Sequence, residues 1–250
     1  MNENSLNNTT ALVTGASRGF GRAIAIALHD AGAEVVAVAR NADRLAELRA
    51  ELGDSITTIA ADVSDPTIAG SLIERFSPRT LVLNAGAAPL MRPIHQYTWE
   101  TFSRNWDVDV KQAFHWIREA LLLPLAPQST VITFSSGAAR FGSPLSGSYA
   151  GAKAAVRFIT DYAAEESGRA GHDIRFVSVL PKLTVATDLG VAAAEAYARR
   201  YGVDLDEYVR REGPALEPVQ VGRYVVALAL SADRRPGTYL FGPNGMSLLE

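Results

Sequence analysis

Short apolar runs rich in Val, Ile, Leu and Ala alternate along the chain with longer stretches whose apolar positions recur every three or four residues. The runs at Ala11–Thr14, Val35–Ala39, Thr57–Ala61, Thr80–Leu83, Thr130–Ser135, Arg175–Leu180 and Thr238–Phe241 read as strands. Between them, Arg22–Ala31, Arg44–Leu52, Ile68–Phe76, Thr101–Leu123, Tyr149–Ser167 and Val219–Ser231 carry helical periodicity. Strands this apolar must be covered on both faces. The pattern therefore predicts an α/β domain with a parallel sheet and crossover helices on either side. No internal repeat or composition break marks a second domain. The polar start, residues 1–8, is expected to be a disordered tail, and residues 9–250 a single domain. One stretch departs from the alternation. Thr184–Pro214 is a long helical excursion between the last two strands, at the end of the sheet where ligands bind, and reads as a candidate substrate lid or as a plain surface excursion.

Composition narrows the function classes. The chain has 250 residues, 48% of them hydrophobic, enough for one sizeable core. A net charge of −3 gives no broad attraction to nucleic acid or to an anionic membrane, and neither is expected as a partner. The absence of cysteine excludes disulfides and thiol chemistry and fits a reducing compartment. The four histidines are scattered without metal-ligand spacing, so no metal is expected. With no signal peptide and no apolar span, the expected location is the cytoplasm.

Two sequence features carry chemistry. Directly after the first predicted strand stands Thr14-Gly15-Ala16-Ser17-Arg18-Gly19-Phe20-Gly21, and then a helix begins. Glycines at this junction let backbone amides approach a pyrophosphate, to which the helix N-terminus adds a positive dipole end. The second predicted strand closes Val38-Ala39-Arg40, without the acidic residue that would hold the ribose 2′-hydroxyl of NAD. Arg40 and Arg18 instead offer two guanidiniums to a 2′-phosphate, so the expected cofactor is NADP (NADPH), with NAD less favoured. Further on, Tyr149 and Lys153 stand four residues apart in a chain with only three lysines. A phenol and an ammonium at that spacing share one helix face, where the cation favours the phenolate.

From residue 9 to about 245 these motifs resemble, in order, those of the short-chain dehydrogenase/reductase family. Gly15, Ser17, Arg18, Gly19, Phe20 and Gly21 match its TGxxxGxG loop. Asp62 and Val63 resemble the pair that holds the adenine ring. Asn84-Ala85-Gly86 is similar to its NNAG segment, with Leu83 in place of the first asparagine. Ser136, Tyr149 and Lys153 fall at its Ser-x12-Tyr-x3-Lys spacing. The resemblance implies a single doubly wound, Rossmann-type sheet of about seven strands. It implies Tyr149 as general acid–base, Lys153 as its electrostatic partner and ligand of the nicotinamide ribose, and Ser136 as hydrogen-bond donor to a carbonyl or alcohol substrate. Ketone, 3-oxoacyl thioester, steroid and sugar substrates all fit. It also implies a homodimer or homotetramer whose main face is formed by the helices over Thr101–Leu123 and Tyr149–Ser167. Trp106 and Trp116 belong to that face or to the core.

The chain departs from the family pattern at three places. Asp109 stands where an asparagine usually completes the catalytic set. Pro181 is followed by Lys182 rather than glycine, so that Thr184 or Thr187 is left to meet the nicotinamide carboxamide. Lys182 places a cation either beside the cofactor and substrate or in solvent. Gly242-Pro243-Asn244-Gly245 replaces the usual Asp-Gly-Gly near the end. The expected function is an NADP(H)-dependent oxidoreductase acting on a carbonyl or secondary alcohol. The alternative, supported only by Asp109 and Lys182, is a dinucleotide-binding sensor or scaffold with little catalysis.

Overall fold

In the computed structural model, which describes residues 5–249, eight strands form one sheet in the order β3-β2-β1-β4-β5-β6-β7-β8. The strands are β1 (Thr10–Thr14), β2 (Glu34–Ala39), β3 (Ile56–Ala60), β4 (Thr80–Leu83), β5 (Thr130–Phe134), β6 (Arg175–Pro181), β7 (Gly237–Gly242) and β8 (Gly245–Leu249). Neighbours from β3 to β7 pair in parallel, and β8 runs antiparallel to β7. The eighth strand is the addition to the seven expected. It follows Pro243-Asn244, a two-residue turn that pairs Gly242 with Gly245, so it needs no crossover helix and carries no alternation long enough to read.

Within each strand, successive side chains feed two separate cores. Ala11 and Val13 of β1, Val35 and Ala37 of β2, and Val177 and Val179 of β6 face helices α1 (Gly19–Asp30), α2 (Ala42–Leu52) and α10 (Pro218–Leu230). Leu12, Val36, Leu81 and Val131 face the opposite layer, built from α3 (Pro66–Phe76), α5 (Lys111–Leu122) and α7 (Gly147–Ala170). Both faces are dry, which is why the strand residues read as apolar at nearly every position.

The helix expected over Thr101–Leu123 is interrupted. α4 (Trp99–Asn105), closed at its start by a reciprocal Thr98–Thr101 cap, runs into a widened π turn at Trp106–Val110 before α5 begins. There the Lys111 amide reaches back five residues to the Trp106 carbonyl. Trp116 is fully buried and donates from Nε1 to the Val63 carbonyl at 3.0 Å, so it belongs to the core, whereas Trp106 is 40% exposed. Of the tail expected to be disordered, residues 1–4 lie outside the described residues. Leu6, however, is buried, and its amide donates to the Ala31 carbonyl at 2.8 Å.

Beyond β6 the excursion forms α8 (Asp188–Tyr201), capped by Thr187, and α9 (Leu205–Glu212), capped by Asp204. The two pack on each other through Ala194, Ala198 and Tyr208, a small core separate from the two sheet faces. The short α6 (Ala138–Phe141) lies between β5 and α7. Among the described residues no helix is long and apolar enough to cross a membrane.

Candidate active site

Strand order reverses between β1 and β4, and a doubly wound sheet opens a crevice at that point beyond the strands' C-terminal ends. A cleft of about 1370 Å³ occupies this edge. It is lined by Gly15, Ser17, Arg18, Gly19 and Phe20, by Arg40, Asp62 and Val63, and by Asn84, Ala85 and Gly86. Ser136, Tyr149, Lys153, Pro181, Thr184 and Thr187 line it as well. Residues spread over more than 170 positions of sequence therefore meet in one place. Gly21 and Asp109, also singled out from the sequence, lie behind the wall.

The glycine loop is built for close approach. Gly15 has φ +70°, and a Cβ there would meet Ala85 Cα at 2.8 Å; one on Gly21 would strike the Gly15 carbonyl oxygen at 2.2 Å. Thr14 holds the two switch-point strands together, since its hydroxyl accepts from the amides of Asn84 and Ala85 at 3.0 and 3.2 Å. Helix α1 then starts without a side-chain cap and without an acidic residue in its first turn. Its amides and dipole face the cleft with no side chain of the helix competing, which suits a phosphate.

At the far end of the cleft, Asp62 accepts from the amide and hydroxyl of Ser64 at 2.9 and 2.8 Å. Those bonds hold its carboxyl below the ordinary carboxylate range, with the Arg40 guanidinium adding to the effect. Arg40 is exposed and has no ion-pair partner within 4.0 Å among the described residues. Arg18 points the other way. Its Nη1 donates to Asp188 Oδ2 at 2.7 Å, at the start of α8.

Near the middle of the sheet edge, α7 carries Tyr149 and Lys153 into the cleft. Lys153 is 5% exposed, and its ammonium donates to the carbonyl of Phe134, the last residue of β5, at 2.9 Å. It lies 3.5 Å from Asp109 Oδ1 and 5.6 Å from the centre of the Tyr149 ring. Asp109 sits in the widened turn, almost fully buried, accepting from the Ala87 amide at 3.2 Å and from Asn105 Nδ2 at 3.3 Å. Burial pushes its carboxyl up from the ordinary range, and the Lys153 ammonium opposes that rise. Gly86 makes room for the pair, because a Cβ there would fall 2.2 Å from Asp109 Oδ1. The Ser136 hydroxyl, on the same wall, accepts from the Ala138 amide at 3.2 Å. The arrangement can hold a phenol beside a fixed cation and offer both to a molecule in the cleft.

The excursion closes the cleft on the opposite side. Thr187 Oγ1 accepts from the Gly190 amide at 3.2 Å and Thr184 Oγ1 from the Ala186 amide at 3.2 Å. A Cβ on Gly190 would fall 1.5 Å from the Thr184 carbonyl oxygen, so only glycine lets α8 begin this close to β6. The sequence left Lys182 between a ligand and solvent, and the structure gives it a third place. Its ammonium donates to the carbonyl of Glu212, the last residue of α9, at 2.5 Å. Cation and helix C-terminus complement each other there, so Lys182 ties the excursion to the sheet.

Sequence reasoning missed a group of tyrosines on the cleft wall: Tyr197 and Tyr201 of α8 and Tyr208 of α9. Their centroids lie 6.1, 6.1 and 6.2 Å apart, with planes within 18° of parallel. Spacing of four residues in α8 was the available signal. Tyr208 comes from another helix and could not be joined to it without the fold.

Comparison with known proteins agrees with this architecture. The model of the short chain dehydrogenase family matches residues 9–198. A probable NADP-dependent dehydrogenase of Haemophilus influenzae is 32% identical over 190 residues, 73% of this chain and 74% of the relative. An L-xylulose reductase of Bos taurus is 32% identical over 186 residues, again 73% of this chain and 74% of the relative. Among solved structures, an NADPH-bound short chain oxidoreductase of Pseudomonas aeruginosa PAO1 with an atypical catalytic center superposes with a TM-score of 0.81. It covers 96% of this chain and 97% of its own at 22% identity, a likeness of fold.

Proposed function

The chain belongs to the short-chain dehydrogenase family, and from that membership we propose that it is an NADP(H)-dependent oxidoreductase of a carbonyl or secondary-alcohol substrate, with Tyr149 exchanging the proton. The observation that carries the reading is the fixed position of Lys153. Its ammonium is held by Phe134 O and Asp109, one helical turn from a tyrosine that opens to the cleft.

The residues present fit a dinucleotide. Gly15 and Gly21 let the loop fold tightly against Ala85 and on itself, and α1 offers an uncapped N-terminus to a diphosphate. Asp62 and Val63 would flank the adenine, Asn84, Ala85 and Gly86 the adjoining ribose, and Pro181, Thr184 and Thr187 the carboxamide end. Ala39 and Arg40 replace an acid with a cation at the end of β2, which favours a 2′-phosphate over a 2′-hydroxyl. The name of the Haemophilus relative supports the same choice. When bound, the nicotinamide supplies or accepts the hydride.

The chain's own part is to place the substrate and move one proton. Ser136 donates from its hydroxyl to the substrate oxygen. Tyr149 gives its phenolic proton to that oxygen in reduction and takes it back in oxidation, while the Lys153 ammonium stabilises the phenolate between the two states. Asp109 acts behind Lys153, as a positioning residue. The excursion of α8 and α9 serves as the lid over the substrate end.

The test is spectrophotometric, with NADPH and NADH each assayed against a panel of ketones, aldehydes and alcohols. Wild type should turn over at least one carbonyl class, and Tyr149→Phe should lose roughly 10²–10⁴-fold in kcat while still binding NADPH. If wild type binds NADPH but is no faster than Tyr149→Phe on every substrate, the protein is a dinucleotide-binding sensor or scaffold instead.

A further inference from the structure

Resting on the reading above, we infer that the substrate is an uncharged aryl ketone or aldehyde, or the matching alcohol, seated against the Tyr197–Tyr201–Tyr208 cluster. Three mutually near-equal centroid distances with nearly parallel planes rule out a simple column, in which the outer rings would lie twice as far apart. The rings form a triangle in which Tyr208 is buried and Tyr197 and Tyr201 are the more accessible members. Tyr201 is 57% exposed although it belongs to this cluster and lines the cleft.

The cluster adjoins the start of the helix that carries Tyr149. The Tyr197 hydroxyl is hydrogen-bonded to Ser143 Oγ, Ser143 to Ser146 at 2.5 Å, and Ser146 immediately precedes the helix that carries Tyr149. The polar end of Tyr197 is already engaged by Ser143. What half-buried Tyr197 has left for a ligand, together with exposed Tyr201, is ring surface, which suits a flat apolar body better than a run of hydroxyls.

Charge points the same way. Among the described residues, the cations lining the cleft are Arg18, Arg40, Arg44, Lys153 and Lys182. Arg40 and Arg44 belong to the end of β2 and the start of α2, at the adenine end. Arg18 is paired with Asp188, Lys153 with Asp109, and Lys182 with the Glu212 carbonyl. A carboxylate or phosphate on the substrate would therefore enter the substrate end with no unengaged cation to meet it, and beside Glu212 and Asp188. Burying such a charge unpaired is costly.

The experiment separates this inference from the catalytic one by measuring binding rather than turnover. Calorimetric titrations use Tyr149→Phe, with and without saturating NADPH, against 2-acetylnaphthalene, 6-acetyl-2-naphthoate, 2-acetyldecalin and a four-carbon ketose. The aryl ketone should bind at least about tenfold tighter than the naphthoate and the ketose. Tyr201→Ala should weaken the aryl ketone about five- to tenfold and the decalin less, while Tyr201→Phe keeps the wild-type order because the ring and not its hydroxyl is used. Equal or tighter binding of the naphthoate or the ketose overturns the inference, as does an aryl ketone affinity indifferent to Tyr201→Ala. An aryl ketone that binds in this order but is never reduced by wild type leaves the ligand class of the cleft standing and removes the catalytic reading.

Discussion

Lys153 and Asp109 form an ion pair 3.5 Å apart, buried behind the cleft wall and braced by Phe134 O, the Ala87 amide and Asn105. A neutral asparagine would accept and donate in nearly the same place. The aspartate brings a full charge into a site where charge is expensive, and the lysine is its only counter-ion within 4.0 Å among the described residues.

Asp109→Asn should therefore change how stability depends on pH. In the unfolded chain the carboxyl ionises at its ordinary value of 3.8, whereas in the fold burial raises it. The protonated form favours folding, so wild type is best served below 3.8 and loses stability as pH rises from there through the raised value. The asparagine has no such titration. Urea unfolding at several points between pH 4 and pH 8 should show the difference, variant minus wild type, moving in the variant's favour as pH rises. The slope with pH, rather than the absolute difference, is the prediction. A difference constant with pH would mean that Asp109 ionises in the fold as it does in the unfolded chain.

Two glycine substitutions should act in opposite directions. Gly190→Ala would put a Cβ 1.5 Å from the Thr184 carbonyl oxygen, where only backbone movement can relieve the clash. Overpacking of that kind costs about 1–3 kcal/mol, or a fall of roughly 2–12 °C in Tm for a chain of this size. Gly168→Ala, at an exposed helical position of α7 with nothing within 4 Å of the new Cβ, should gain about 0.5–1 kcal/mol. Differential scanning calorimetry on the two variants checks both signs at once.

The sheet and its flanking helices were legible in the sequence because the central strands are apolar on both faces and the crossover helices keep an apolar stripe. What escaped were features that hydrophobic periodicity does not carry. β8 depends on a two-residue turn and on β7, and the π turn leaves the periodicity of the long helix almost unchanged while moving Asp109. Most of the residues expected to meet do line one cleft, since the glycine loop, the switch-point segment and the Tyr149–Lys153 spacing are local signals. Lys182 was undecided because its partner, the Glu212 carbonyl, is 30 residues away and belongs to a helix whose docking no local pattern encodes. The tyrosine cluster was hidden for the same reason.

Lys182→Met should loosen the lid and leave the dinucleotide end alone. The methionine keeps much of the aliphatic stem but cannot donate to the carbonyl that ends α9. Hydrogen exchange should quicken over residues 205–213 while α1 and β2 are unaffected. For a substrate that wild type reduces, KM should rise several-fold at constant NADPH affinity. A change confined to NADPH binding would instead return Lys182 to the cofactor.

Arg18 offers the closing test of cofactor choice. In the fold it pairs with Asp188 across the mouth of the cleft, with side chains 58% and 76% exposed, whereas Arg40, at the end of β2, has no ion-pair partner within 4.0 Å among the described residues. An NADP 2′-phosphate held by both guanidiniums must compete with Asp188 for Arg18. Exposed pairs of this kind are worth about 0.2–1 kcal/mol, so Asp188→Asn should tighten NADPH about 1.5- to 5-fold and leave NADH unchanged. Arg40→Ala and Arg18→Ala should each weaken NADPH by about tenfold or more, again sparing NADH, because a phosphate loses a charge-assisted partner and a hydroxyl does not. Fluorescence titration of both cofactors against the three variants reads all of this. Should Asp188→Asn tighten NADPH and NADH alike, Arg18 serves the shared diphosphate, and the preference for a 2′-phosphate rests on Arg40 alone.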